Sequence, residues 1–139
     1  MAQFGFIGMG NMGYAMLNGV LGEFAPGQII FTTPHKEKCE KISAQTGVKY
    51  AESNAECANY LAVKPQIYDA VLKNIENVIT SEKVIISIAP GITIDSIKGK
   101  LGGSVRVVRA MPNTPALVGE GMTGISYNKE EFTIEERDT

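Results

Sequence analysis

A short apolar run, Phe4-Gly5-Phe6-Ile7, leads directly into Gly8-Met9-Gly10-Asn11-Met12-Gly13, and this juncture restricts the chain more than any other feature. A G-x-G-x-x-G string alone says little in a chain with 15 glycines. Placed between a strand and a helix running from about Asn11 to Leu21, it acquires a mechanism. Gly8 permits a tight turn, Gly10 admits a pyrophosphate close to the backbone, and Gly13 lets helix and strand pack closely. The helix N-terminus adds unpaired N–H groups and the positive end of the dipole. The alternative is a glycine-rich turn that holds nothing.

The rest of the chain alternates short β-rich runs with amphipathic helical runs, which predicts a parallel sheet covered by helices. Gln28–Thr32, Val48–Tyr50, Tyr60–Val63, Lys83–Ile88 and Val105–Arg109 read as further strands, and Met122–Tyr127 as a last one. Helices are expected over Lys36–Gln45, with Gly47 as its stop, from Ser53-Asn54-Ala55-Glu56, whose spacing is a capping box, and over Thr93–Leu101. Pro65 opens another, with an apolar stripe of Ile67, Val71, Leu72, Ile75, Val78 and Ile79. Met111–Gly121 reads as a Pro- and Gly-rich loop, and Lys129–Thr139 as a helix just beginning. The fold class is therefore α/β, a doubly wound, mostly parallel sheet of Rossmann type. Residues 1–128 form the dinucleotide-binding domain, and 129–139 begin a linker or second domain. Only nine residues separate Tyr50 from Tyr60, too few for a parallel crossover with its helix. Either the third strand is not a neighbour of the fourth, or residues are missing near Ala58-Asn59, which is the expected reason.

Composition excludes several classes. A net charge of −2 argues against nucleic acid or an anionic membrane as partner. No apolar run approaches the roughly 20 residues of a membrane helix. The opening residues lack a basic segment and cleavage site, which predicts a cytoplasmic address. Two cysteines, Cys39 and Cys57, and a single histidine make no metal-ligand cluster, and both thiols are expected to pack as small hydrophobes.

Other strand ends carry candidate contacts. An NAD-specific site places an acid at the end of the second strand. Here that end reads Thr32-Thr33-Pro34-His35-Lys36, which favours NADPH through its hydroxyls and Lys36, with NADH possible. The alternative is a solvated Lys36 and a capping His35. Ala62-Val63-Lys64-Pro65 places a lysine at the fourth strand's end for phosphate or ribose. Ile88-Ala89-Pro90-Gly91 offers small residues where a nicotinamide ring could lie against backbone. In Arg109-Ala110-Met111-Pro112-Asn113-Thr114-Pro115 the prolines stiffen a loop that could wall a substrate pocket.

Together these strings resemble the pyrroline-5-carboxylate reductase family, with Phe6 to Met12, Ala62 to Gln66 and Arg109 to Pro115 in the family's order. The resemblance implies that Ile7, Gly8, Met9, Gly10, Asn11 and Met12 hold the pyrophosphate. Thr32, Thr33 and Pro34 would lie by the adenosine ribose and 2′-phosphate, and Asn54, Val63, Lys64 and Pro65 on the cofactor. Ala89 and Gly91 would border the nicotinamide, with Met111, Pro112, Asn113 and Thr114 between cofactor and substrate. The implied reaction is hydride transfer to the imine carbon of 1-pyrroline-5-carboxylate, giving proline. Pro90 stands where the family commonly has alanine, and the segment before Ala62 is shorter than usual. The family's helical second domain, which forms the dimer and binds the substrate carboxylate, has no counterpart here; a full-length homo-oligomer and an inactive isolated piece are expected. No residue is assigned as catalytic, since a protonated cyclic imine is already electrophilic and His35 lies at the adenosine end. Two alternatives remain: a related reductase of a 3-hydroxy acid or other carbonyl, and a non-enzymatic NADP-sensing module.

Overall fold

The computed structural model describes residues 4–58 and 68–138. Strands β1 (Phe4–Ile7), β2 (Ile29–Thr32) and β3 (Lys49–Tyr50) pair in parallel in that order. In a second three-stranded group, β4 (Val84–Ser87) pairs in parallel with β5 (Arg106–Pro112), and β6 (Thr123–Tyr127) joins β5 antiparallel. The described helices are α1 (Asn11–Leu21), α2 (Lys36–Thr46), α3 (Asn54–Ala58), α4 (Tyr68–Ile75), α5 (Ile94–Leu101) and α6 (Ile134–Asp138). Both the expected fourth strand, Tyr60–Val63, and the opening of the next helix at Pro65 lie outside the described residues, as does the junction at Asn59.

Strand periodicity explains why helices cover both faces. Side chains alternate along a strand, so consecutive apolar residues must be buried on opposite sides. Phe6 joins Met9, Leu17, Ile29, Phe31, Cys39, Ile42 and Val48 in one core. Ile7, its neighbour, joins Cys57, Leu72, Ile75, Ile85, Ile97 and Val107 in the other. Cys57 seats α3 on the sheet, its thiol donating to Phe6 O at 3.4 Å. Burial and the nearby Glu56 charge push that thiol up to about 12, so it is a packing group rather than a nucleophile. Cys39 is buried as well.

Several boundaries depart from the expectations. Pro26–Gln28 is a 3₁₀ turn whose Gln28 Oε1 accepts the Ala25 N–H, so the second strand starts at Ile29. Helix α4 ends at Ile75; Val78 and Ile79 follow in a turn yet still pack on the core, so the apolar stripe outlasts the helix. Strand β5 runs through Met111 and Pro112, which had read as loop, because β6 pairs with it as far as Pro112↔Thr123. At Ser53 the cap forms, Glu56 N–H donating to Ser53 Oγ at 3.0 Å, but the Glu56 carboxylate returns to Glu52 N–H.

The tail is a 3₁₀ turn, Lys129–Glu131, followed by α6, rather than one helix. Thr133 breaks the run by capping α6: Glu136 N–H donates to Thr133 Oγ1 at 3.2 Å, and Thr133 N–H donates to Glu136 Oε2 at 2.9 Å. Arg106 ties this segment down, donating to Ser81 O, Glu82 O and Glu136 Oε1 while lying 5.5 Å over the Phe132 ring. Lys98 pairs with Glu131. The Lys98 ammonium holds the Glu131 carboxyl below its ordinary range, and Arg106 does the same for Glu136. Carboxylates depressed in the folded state stabilise above their unfolded value, about 4.3, and lose that contribution as pH falls through the folded value. Hydrogen exchange should therefore find residues 128–138 protected at pH 7 and released, ahead of the strands, once pH falls below the ordinary carboxylate range. Equal protection above and below that range would show that these pairs do not hold the tail.

Candidate functional site

Gly8 leaves β1 with φ 96°, in the left-handed region, and its N–H donates to Thr32 O at 2.7 Å. The glycine turn is thereby pinned to the end of β2. A Cβ on Gly13 would lie 2.4 Å from Gly8 O, so the close approach of α1 to the turn requires glycine there. Gly10 is the N-cap of α1 at φ −75°, ψ −171°, an extended conformation open to any residue. It supplies no side-chain cap, the first turn carries no acid, and Tyr14 N–H donates to Gly10 O at 2.9 Å. The N–H groups of Asn11, Met12 and Gly13 thus remain for an anion. Ile7 and Met9 are buried in the two cores and offer a ligand their backbone only.

Beside this turn the ends of β2 and β3 enclose a groove of about 480 Å³. Thr32, Thr33, Pro34, Lys36 and Asn54, all expected from the sequence, line it. Tyr50, Glu52, Ser53 and Asn74 line it as well and were not anticipated. Tyr50 ends β3 and residues 51–53 follow it, a signal available in the sequence; Asn74 on α4 arrives only by packing. His35 stands at the N-cap of α2, exposed, makes no capping bond and is not among the lining residues.

The turn after β4 is compact. Ala89 is fully buried, its N–H donates to Ser87 Oγ at 3.4 Å, and Gly91 adopts φ 76°. Arg109 Nε donates to Ile92 O at 3.0 Å, tying this turn to β5. Beyond β5, Asn113 and Met122 clasp the loop: Asn113 N–H donates to Met122 O at 3.2 Å, and Met122 N–H to Asn113 Oδ1 at 2.9 Å. Half of the Asn113 amide is thus structural, leaving Nδ2 as its donor. Thr114–Val118 forms a 3₁₀ turn against α1, which brings the Met111–Thr114 segment to the end of the sheet that carries the glycine turn. Ala62, Val63, Lys64 and Pro65 lie outside the described residues. Among the described residues, no group of three or more His, Cys, Asp or Glu could hold a metal, and no helix is long and apolar enough to cross a membrane.

A dinucleotide fits these features: a left-handed glycine turn, a helix approach that a Cβ would block, uncapped N–H groups, and a polar groove alongside. The family model described as NADP oxidoreductase, coenzyme F420-dependent, matches residues 3–91. The chain is 42% identical over 133 residues to a pyrroline-5-carboxylate reductase of Escherichia coli (strain K12), covering 91% of this chain and 49% of that protein. The structure of a pyrroline-5-carboxylate reductase from Coxiella burnetii superposes with a TM-score of 0.90 at 28% identity, covering 99% of this chain and 53% of that one. The Plasmodium falciparum pyrroline carboxylate reductase, solved with NADP bound, gives a TM-score of 0.82 at 30% identity, covering 99% and 52%. The chain spans about half the length of the curated relatives it matches. A Rossmann half with this glycine turn therefore places the chain in the NADP oxidoreductase, coenzyme F420-dependent family, with its resemblance to the N-terminal half of pyrroline-5-carboxylate reductases.

Proposed function

We propose that this chain supplies the NADPH-binding half of a reductase that converts 1-pyrroline-5-carboxylate to proline. The observation that supports it most is the Gly8–Gly13 turn set beside a groove bearing Thr33 and Lys36. The first-turn N–H groups of α1 receive the pyrophosphate, and Lys36 with Thr33 receives the 2′-phosphate. When bound, the dihydronicotinamide supplies the hydride that reduces the imine carbon. Gly91 and the small Ala89 leave backbone for a flat ring to lie against. Asn113 holds the Met111–Thr114 segment in place through Met122, and its Nδ2 is left to orient substrate or nicotinamide. Lys64 of Ala62-Val63-Lys64-Pro65 adds a cation for phosphate or ribose. Substrate carboxylate binding and assembly into a homo-oligomer fall to the second half of the full-length protein, with a cytoplasmic address.

The test is turnover of 1-pyrroline-5-carboxylate by the full-length protein. Asn113→Ala should lower kcat/KM at least tenfold, about 1.4 kcal/mol. Asn113→Asp keeps the acceptor for Met122 N–H but loses the amide donor, so it separates loop clasp from ligand contact. Wild-type kinetics in both variants would remove Asn113 from the site, and no turnover by the wild type would overturn the proposed reaction.

A further inference from the structure

We propose that Glu52 sets the cofactor preference of the groove, its carboxylate receiving the free 2′-hydroxyl of an unphosphorylated adenosine ribose and opposing a 2′-phosphate. This rests on the groove at the ends of β2 and β3 taking the adenosine end of the cofactor. NAD-type sites place their acid at the end of the second strand, where this chain has Thr32-Thr33-Pro34. The neighbouring strand supplies one instead. Phe31 pairs with Tyr50 and Ala51 N–H donates to Phe31 O at 2.7 Å. Glu52 follows the end of that pairing by two residues and lines the same groove as Thr33.

Two further observations leave the Glu52 carboxylate available to a ligand in this groove. Its backbone is fixed, because Glu52 N–H donates to Glu56 Oε2 at 2.9 Å within the cap of α3. Its own carboxylate forms no hydrogen bond or ion pair with any described residue. Lys36, the other charged residue among the described lining, likewise forms no hydrogen bond or ion pair with a described residue. Both lie in one groove of about 480 Å³ yet do not pair with each other, so both charges remain for what enters. Cation and anion then pull in opposite senses: Lys36 favours a 2′-phosphate, and Glu52 favours a hydroxyl donor over it. A unit charge several ångströms from a phosphate in a partly solvated groove changes affinity by on the order of tenfold.

The experiment is a binding titration of the full chain with NADPH and with NADH by nicotinamide fluorescence, with 2′,5′-ADP as a displacing probe of the adenosine end alone. Glu52→Gln should tighten NADPH and 2′,5′-ADP about tenfold and weaken NADH about threefold. Glu52→Asp, which keeps the charge, should stay within about threefold of the wild-type ratio. Lys36→Met should move the ratio the other way. An unchanged ratio in Glu52→Gln, with Lys36→Met still losing NADPH selectively, overturns the role of Glu52 and leaves the groove reading intact. If Lys36→Met is also without effect, or neither cofactor binds, the groove is not the adenosine site and the inference falls with it.

Discussion

Gly13→Ala is expected to cost about 2–3 kcal/mol of stability and to abolish dinucleotide binding, the largest functional effect of any single methyl group in this chain. The added Cβ would sit 2.4 Å from Gly8 O, a backbone atom, and a Cβ is itself fixed by its backbone, so no side-chain rotation can clear the contact. Relief requires α1 to withdraw from the glycine turn by roughly an ångström, since ordinary carbon contacts begin near 3.4 Å. That movement also displaces the first-turn N–H groups, and hydrogen bonds to a pyrophosphate weaken steeply with such shifts. The melting temperature should fall on the order of 10 °C and the NADPH titration should go flat. Gly19→Ala provides the control: it lies in the same helix with nothing within 4 Å of its Cβ, so it should hold or raise stability. A Gly13→Ala protein that melts and binds like the wild type would refute the close approach of α1 to Gly8.

Phe31→Ala should be more damaging to the fold, by about 3–5 kcal/mol, a large share of a domain's usual 5–15. Phe31 is fully buried in the core with Phe6, Leu17, Ile29, Ile42 and Val48, and its ring lies 6.2 Å from that of Tyr50. Its backbone joins β2 to β3, whose ends form the groove, so the loss falls on the strands that carry the candidate adenosine site. Urea unfolding should show a lower midpoint at unchanged slope, and Phe31→Leu should recover most of the loss. A loss under about 1 kcal/mol would mean that this core collapses around the void.

Much of this molecule is local in origin. A glycine turn between Ile7 and Asn11, the stop at Gly47 with φ 72°, and the cap at Thr93, whose Oγ1 accepts Ser96 N–H at 3.1 Å, depend on residues a few positions apart. Alternating burial of Phe6 and Ile7 follows from strand geometry, so a sheet covered on both faces was legible before any coordinates. Strand-end positions such as Thr33 and Lys36 were legible for the same reason, because parallel strands deliver their ends to one side.

What sequence pattern could not decide was which segments lie side by side. Strand β5 continues through Met111 and Pro112 because β6 returns along it, a pairing that no period of 2 or 3.6 encodes. Arg106 looks like any strand-end arginine until folding sets Ser81, Glu82, Phe132 and Glu136 around it. Asn74 reaches the groove only through the packing of α4, and Asn113 becomes a clasp only because Met122 comes back to meet it. Local chemistry determined the turn, the caps and the two-faced sheet, since those are satisfied within a few residues. Long-range hydrogen bonding and packing decided the walls of the site, since each wall is built from residues distant in sequence whose partners exist only once the chain has closed on itself.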